Sequence, residues 1–201
     1  MSSQSAPAPR LPRSERREAI LQAAGPLFAE RAFDAISMTD VIRVAGVSRP
    51  IVYRHFPTTR DLVVGLIERH RTAIRDALAA HVDQHGPVAD EASLRRLIEV
   101  LFARFDEDPA GWRLLAQDPS SDPRVAEVQR LGRDEIDKAL ARALGLPGRG
   151  RPRMLIAEAI RTAANGVYSW SQEHPAARRA ERADALVAVI WNGIGSPAGG
   201  T

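Results

Sequence analysis

Arg49-Pro50-Ile51-Val52-Tyr53-Arg54-His55 places two guanidinium groups, a phenol and an imidazole on one short segment. Val52 and Phe56, four apart, form an apolar pair that would anchor the segment as a helix. Arg49, Ile51, Tyr53, Arg54 and His55 are then left for its other faces. A short helix with a cationic, aromatic outer face suits the major groove of DNA. The charge balance agrees in sign. Residues 1–60 hold nine Arg against five acids, whereas residues 61–201 hold nineteen cations against twenty acids. The small basic excess surrounds this segment, where phosphate would require it.

Other chemistries find less support. His81 and His85 have the i, i+4 spacing of a metal pair, with His70 eleven residues earlier, but a closed site needs about four ligands and no further partner is evident. The solvated end of a helix is the reading adopted, and no metal or other cofactor is expected. Arg149-Gly150-Arg151-Pro152-Arg153 resembles a minor-groove hook, yet it falls between two expected helices and reads as a solvated basic loop. The chain has no cysteine, which excludes disulfides and thiolate chemistry. There is no Gly-rich phosphate loop, nucleophile elbow or spaced histidine–carboxylate set, so the chain is not expected to be an enzyme.

The elements that must position the basic segment are legible on either side. Ser37 and Asp40 have capping-box spacing, and Met38, Val41, Ile42 and Ala45 then repeat with helical period. Gly46 supplies the left-handed residue of a tight turn, Val47 an apolar residue to bury inside it. Ser48 is expected to cap the following helix, whose first turn tolerates Pro50. Thr58 and Asp61 form a second capping box ahead of a long helix. Its stripe of Leu62, Val63, Leu66, Ile67, Ile74 and Leu78 runs towards a stop at His85-Gly86-Pro87.

The run A-G-V-S-R-P-I-V-Y-R-H-F-P resembles the helix-turn-helix signature of the tetracycline-repressor (TetR) family of bacterial transcription regulators. The resemblance covers about the first third of the chain. It implies an all-α homodimer that binds double-stranded operator DNA and is released by a small-molecule effector. It also implies an N-terminal three-helix DNA-binding domain and a C-terminal helical ligand-binding and dimerisation domain, about nine helices in all. By position, Arg49 and Pro50 match base-facing residues, and an arginine can pair with guanine edges. Tyr53 and His55 match phosphate-binding positions; packing inside the three-helix unit is the competing reading for both. Thr39, Ser48 and Arg54 complete the expected contacts. Ile51 stands where the family often has Thr, exchanging a hydroxyl contact for apolar contact with a thymine methyl. Thr59 stands where a phosphate-binding Lys is frequent, with Arg60 as the substitute charge. Ala32 replaces the glycine that usually ends the first helix.

The rest of the chain is compatible with that architecture. Residues 1–12 and 196–201 read as loose tails, residues 13–61 as the DNA-binding domain and 62–195 as the effector and dimerisation domain. Ser14 is expected to cap the first helix, and Gly25-Pro26 to kink it. Further helices are expected near 88–106, 109–117, 123–144, 153–173 and 176–195. Phe102, Phe105, Trp112, Asn165 and Tyr168 are the candidate lining of an effector cavity, with plain core packing as the alternative. Ile160, Val167, Leu186, Val189 and Ile190 are the candidate dimer seam. No apolar run nears the roughly 20 residues of a membrane span, no signal peptide is evident, and a cytoplasmic protein is expected. The expected function is a ligand-responsive repressor of transcription. The alternatives are a constitutive DNA-binding architectural protein and, further off, a small-molecule enzyme using the helical cavity.

Overall fold

The computed structural model describes residues 12–116, 120–148 and 150–194. Most of both expected tails, and Arg149, lie outside the described residues. The order of elements is α1 (Arg13–Glu30), a 3-10 turn (Phe33–Ala35), α2 (Met38–Ala45), α3 (Arg49–His55), α4 (Thr59–His85), α5 (Glu91–Glu107), α6 (Pro109–Ala116), α7 (Pro123–Ala143), α8 (Arg151–Glu173) and α9 (Arg179–Ile194). Among the described residues there are nine α-helices and no strand.

Local chemistry sets most of the helix ends. Ser37 and Thr58 each accept the backbone N–H three residues on, and Asp40 and Asp61 reciprocate. Gly46 ends α2 with φ 63°, a left-handed conformation that a Cβ would strain. Ser48 departs from expectation. It holds the cap position of α3, but its side chain makes no cap hydrogen bond. Its carbonyl starts the helix instead, accepting from Ile51 N–H at 2.9 Å and Val52 N–H at 3.2 Å. Ser14 does not cap α1 either. The helix starts one residue earlier, where the Pro12 carbonyl accepts Arg16 N–H at 3.0 Å.

Helix α1 continues through Pro26 without a break. A proline ring in a helix collides with the Cβ of the residue before it. Here that residue is Gly25, which has none, so this part of the crowding is relieved, while the lost hydrogen bond and the crowding of the Gln22 carbonyl remain. The end of α1 needs no glycine, because Arg31 and Ala32 leave in extended conformation, with φ −121° and −61°. Helix α5 begins at Glu91 rather than near 88, since Asp90 and Ser93 form a capping box there. Helix α8 starts two residues before its expected position and α9 three residues after.

One apolar core runs from Ile20 to Ile190. The stripe of α4 is its spine: Leu62, Val63, Leu66, Ile67, Ile74 and Leu78 are all buried. Helix α4 packs on α1, α5, α6 and α7, with the head of α7 at its first turn, while α9 covers α5 and α8. The close approach of α4 to α1 and to the end of α3 depends on Gly65. A Cβ there would lie 3.0–3.1 Å from side-chain atoms of Arg17, Leu21 and Phe56. No helix among the described residues is long and apolar enough to cross a membrane.

Candidate nucleic-acid interface and effector cavity

Helix α3 is fixed from beneath by Val52 and Phe56, which are buried. Thr39, Ser48, Arg49, Pro50, Tyr53, Arg54 and Arg60 are exposed; Ile51, His55 and Thr59 are half-buried. The Arg49 guanidinium lies over the Tyr53 ring, 5.8 Å from its centroid. A cation held on an aromatic face keeps its N–H edge available while losing some rotamer freedom. Tyr53 is 38% exposed, so it is not enclosed within the three-helix unit in this structure.

His55 is intermediate. Its Nε2 is buried without a hydrogen-bond partner. Burial lowers its pKa, and Arg54, Arg13, Arg16 and Arg17 lower it further. The first turns of α1 therefore bring three arginines to the back of α3. Arg17 also sits over the Phe56 ring at 5.0 Å.

Arg60, the expected substitute for a phosphate-binding lysine, is engaged by Asp122, which also caps α7. Beside it, Arg124 Nη1 donates to Asp61 Oδ1 at 2.9 Å. Asp122, the cap before α7, and Arg124 in its first turn carry no sequence signal of this role. They lie more than sixty positions from their partners, and no local pattern announces such a pairing.

The aromatic set is brought together, but as packed core. Phe102, Phe105 and Tyr168 are buried. Trp112 meets Tyr168 edge-on at 4.6 Å, and Phe105 meets Tyr168 edge-on at 5.2 Å. Trp112 Nε1 donates to Asn165 Oδ1 at 3.1 Å. Burial, with Asp106 nearby, pushes the Tyr168 phenol up to about 12, so it stays protonated. The enclosed space beneath Trp112 is about 10 Å³, room for about one water. His70, Phe105, Trp112, Arg133, Arg161 and Asn165 are among its walls; Phe102 and Tyr168 are not. On the outer side of Trp112 and Asn165 a groove of about 650 Å³ opens between the end of α1, α6 and α8. Trp112, Ala116, Arg161 and Asn165 line both the groove and the inner space, and the Trp112–Asn165 hydrogen bond lies among them.

A charged knot behind this space ties α1, α4 and α6. Arg69 bridges Glu18 at 3.2 Å and Asp108 at 2.9 Å, and His70 Nδ1 lies 3.5 Å from Asp108 Oδ2. Burial alone would raise the Asp108 carboxyl, but the His70 ring and the Arg69 guanidinium outweigh it and bring it to about 2. Gly111 lets α6 sit this close, for a Cβ there would lie 2.4 Å from both His70 Cβ and Asp108 Oδ2. Arg113 Nη1 continues the link by donating to the Ala29 carbonyl at 2.5 Å.

The expected dimer residues divide. Ile160, Leu186 and Ile190 are buried within the chain, so they have no surface left to offer a partner. Val167 is half-buried and Val189 is 70% exposed. Leu155, Ile156 and Trp170 on α8 are also exposed, and sequence reading assigned none of them to the seam. The histidine reading needs correction as well. His81 is buried rather than solvated, its pKa lowered by burial and by His85, whose ring lies 5.0 Å away. His70 is buried with its Nδ1 3.5 Å from Asp108 Oδ2, without a hydrogen bond, and its ring stacks on Phe105. Among the described residues no group of three or more His, Cys, Asp or Glu could hold a metal ion. The basic run near 150 is not wholly a loop, because Arg151, Pro152 and Arg153 form the first turn of α8.

Comparison with known proteins bears on this arrangement. The family model for bacterial regulatory proteins of the tetR family matches residues 20–66, which hold most of α1 through the start of α4. The HTH-type transcriptional activator FasR of Mycolicibacterium smegmatis is 27% identical over 194 residues, 92% of this chain and 85% of that protein. The HTH-type transcriptional repressor Rv3405c of Mycobacterium tuberculosis is 30% identical over 141 residues, 52% of this chain and 75% of that protein. Among solved structures, the TetR-like regulator LfrR of Mycobacterium smegmatis in complex with proflavine shares the fold, with TM-score 0.60 and 24% identity. It covers 90% of this chain, which covers 97% of it.

Proposed function

The chain belongs to the tetR family of bacterial regulatory proteins, and from that premise we propose that it is a repressor released from a near-palindromic operator by a small molecule. The observation that carries this reading is the outer face of α3. It presents Arg49, Tyr53 and Arg54 to solvent on a helix held rigidly by Val52 and Phe56. In this reading Arg49 and Pro50 face base edges, with Ile51 against a thymine methyl. Thr39, Ser48, Tyr53, Arg54, His55 and Thr59 contact the backbone. Residues 13–61 act as the reader and 62–195 as the effector and dimerisation unit.

Two copies pair through the exposed apolar residues of α8 and α9, Leu155, Ile156, Trp170 and Val189, with Val167 at the edge. A two-fold axis there sets the two reader helices one DNA turn apart, roughly 34–36 Å. The effector site is the groove outside Trp112 together with the space beneath it. Proflavine in a neighbour of the same fold supports a small-molecule effector. The effector can shift the reader only by its difference in affinity for the two states.

The test is selection of bound DNA from a random pool, followed by thermal-shift screening for compounds that release it. A palindromic site and a releasing compound are the expected results. A site bound irrespective of every compound that stabilises the protein would favour a constitutive architectural role. Turnover of a bound compound would point to an enzyme instead.

A further inference from the structure

The two ion pairs at the head of α7 form a reciprocal clamp on the first turn of α4. Arg60 of α4 pairs with Asp122, and Arg124 of α7 pairs with Asp61. Each acid has a second duty. Asp61 closes the Thr58 capping box, and Asp122 accepts the Arg124 and Val125 backbone N–H groups as the α7 cap. Both acids are mostly covered, with side chains 20% and 14% exposed, whereas Arg60 is 49% exposed. Arg60 is therefore a half-solvated cation on a fixed acid, four residues past Phe56, the buried residue that ends the reader helix.

The rest of α7 is pinned to the cavity side. Gln129 Nε2 donates to the Leu114 carbonyl at 2.6 Å, and its Oε1 accepts Ser120 N–H at 2.9 Å. Ile136, further along α7, lines the space beneath Trp112. It lies fourteen residues from Asp122, about 21 Å along a helix axis. Helix α7 thus lines the candidate effector space through Ile136, while its head holds the first turn of α4.

We propose that Asp122 holds Arg60 in the free protein and yields it to a DNA phosphate when the operator binds, which makes the head of α7 a sensor of the bound state. The proposal rests on the DNA-binding reading above. A phosphate is a stronger competitor than solvent for a guanidinium, and an ion pair with one partner half-exposed is weak enough to exchange. Asp122 is a positioning residue here and touches no base.

Asp122→Asn is the decisive variant, because asparagine caps a helix about as well as aspartate but carries no charge. Operator affinity is measured by anisotropy between about 50 and 200 mM salt, on DNA recovered from the random pool. The expected result for Asp122→Asn is a two- to five-fold tightening, about the full worth of the lost pair. The slope of log affinity against log salt should change by much less than 0.9, because Arg60 meets the same phosphate in both proteins. Arg60→Gln should weaken binding and flatten the slope, and adding Asp122→Asn to it should then change nothing. Unchanged or weaker binding by Asp122→Asn overturns the proposal. So does an equal gain in the Arg60→Gln background, which would make Asp122 only a repulsive charge. If Asp122→Asn loses helical content, Asp122→Ser, also an uncharged cap, takes its place. Failure to recover any DNA with the unaltered protein is a separate outcome. It would overturn the functional reading itself, and this proposal with it.

Discussion

Gly111→Ala should be among the most damaging one-carbon additions to this protein. In an open helix position the same change stabilises by up to about 1 kcal/mol, because alanine is the better helix former. Position 111 is not open. The added Cβ would stand 2.4 Å from His70 Cβ and 2.4 Å from Asp108 Oδ2. Carbon–carbon contacts settle at about 3.5–4.0 Å, so α6 would have to retreat from α4 by roughly 1 Å. His70 Cβ is bound to the helix backbone and cannot swing aside. The retreat would also stretch the Arg69–Asp108 bridge and the Arg113 hydrogen bond to Ala29. Overpacking of this kind costs about 1–3 kcal/mol, and the strained bridge places this case at the upper end, with a fall in Tm of about 2–4 °C per kcal/mol. Gly132→Ala is the internal comparison. Its nearest neighbour is Leu115 Cδ1 at 2.9 Å, the far end of a flexible side chain that can rotate away. Denaturant unfolding of both variants, with urea midpoints and slopes, reads the difference. A Gly111→Ala protein as stable as the unaltered one, or a Gly132→Ala loss equal to it, would refute the reasoning. It would mean that α6 can slide on α4 without cost.

Three further outcomes are expected. Arg49→Ala should relax preference at one base pair by about 1–3 kcal/mol while His55→Ala weakens all sequences alike, as read by competition with single-base operator variants. Asp108 has its pKa depressed from 3.8 to about 2, so the stability it contributes is present above pH 4 and is lost as pH falls towards 2. The amount is about 2 kcal/mol, and Asp108→Asn should remove this part of the acid dependence in urea titrations between those pH values. Leu155→Asp with Val189→Asp should give a folded monomer at micromolar concentration in sedimentation, since both residues are exposed within one chain; a persistent dimer would place the seam elsewhere.

Several features were settled by the sequence because they depend on neighbours within four residues. The boxes at Ser37–Asp40 and Thr58–Asp61, the stops at Gly46 and Gly86, and the buried stripe of α4 belong to this class. A cap or a left-handed glycine satisfies backbone groups of its own turn, so its identity is its evidence. The reader face was legible for the same reason: Val52 and Phe56 had to go inward, which left Arg49, Tyr53 and Arg54 outside. Tertiary structure alone decided what lies between distant segments. Helix α9 is apolar over much of its circumference, so periodicity did not say that Leu186 and Ile190 face α5 and α8 while Val189 faces out. It did not say that His81 is buried, or that Trp112 would hydrogen-bond Asn165, 53 positions away, beside a space the size of a water. The pairing of Arg60 with Asp122 spans 62 positions. Charge type can state that such a pair is permitted, but which of many acids meets which arginine follows from how α7 crosses α4, and that crossing is fixed by the packing of the whole core.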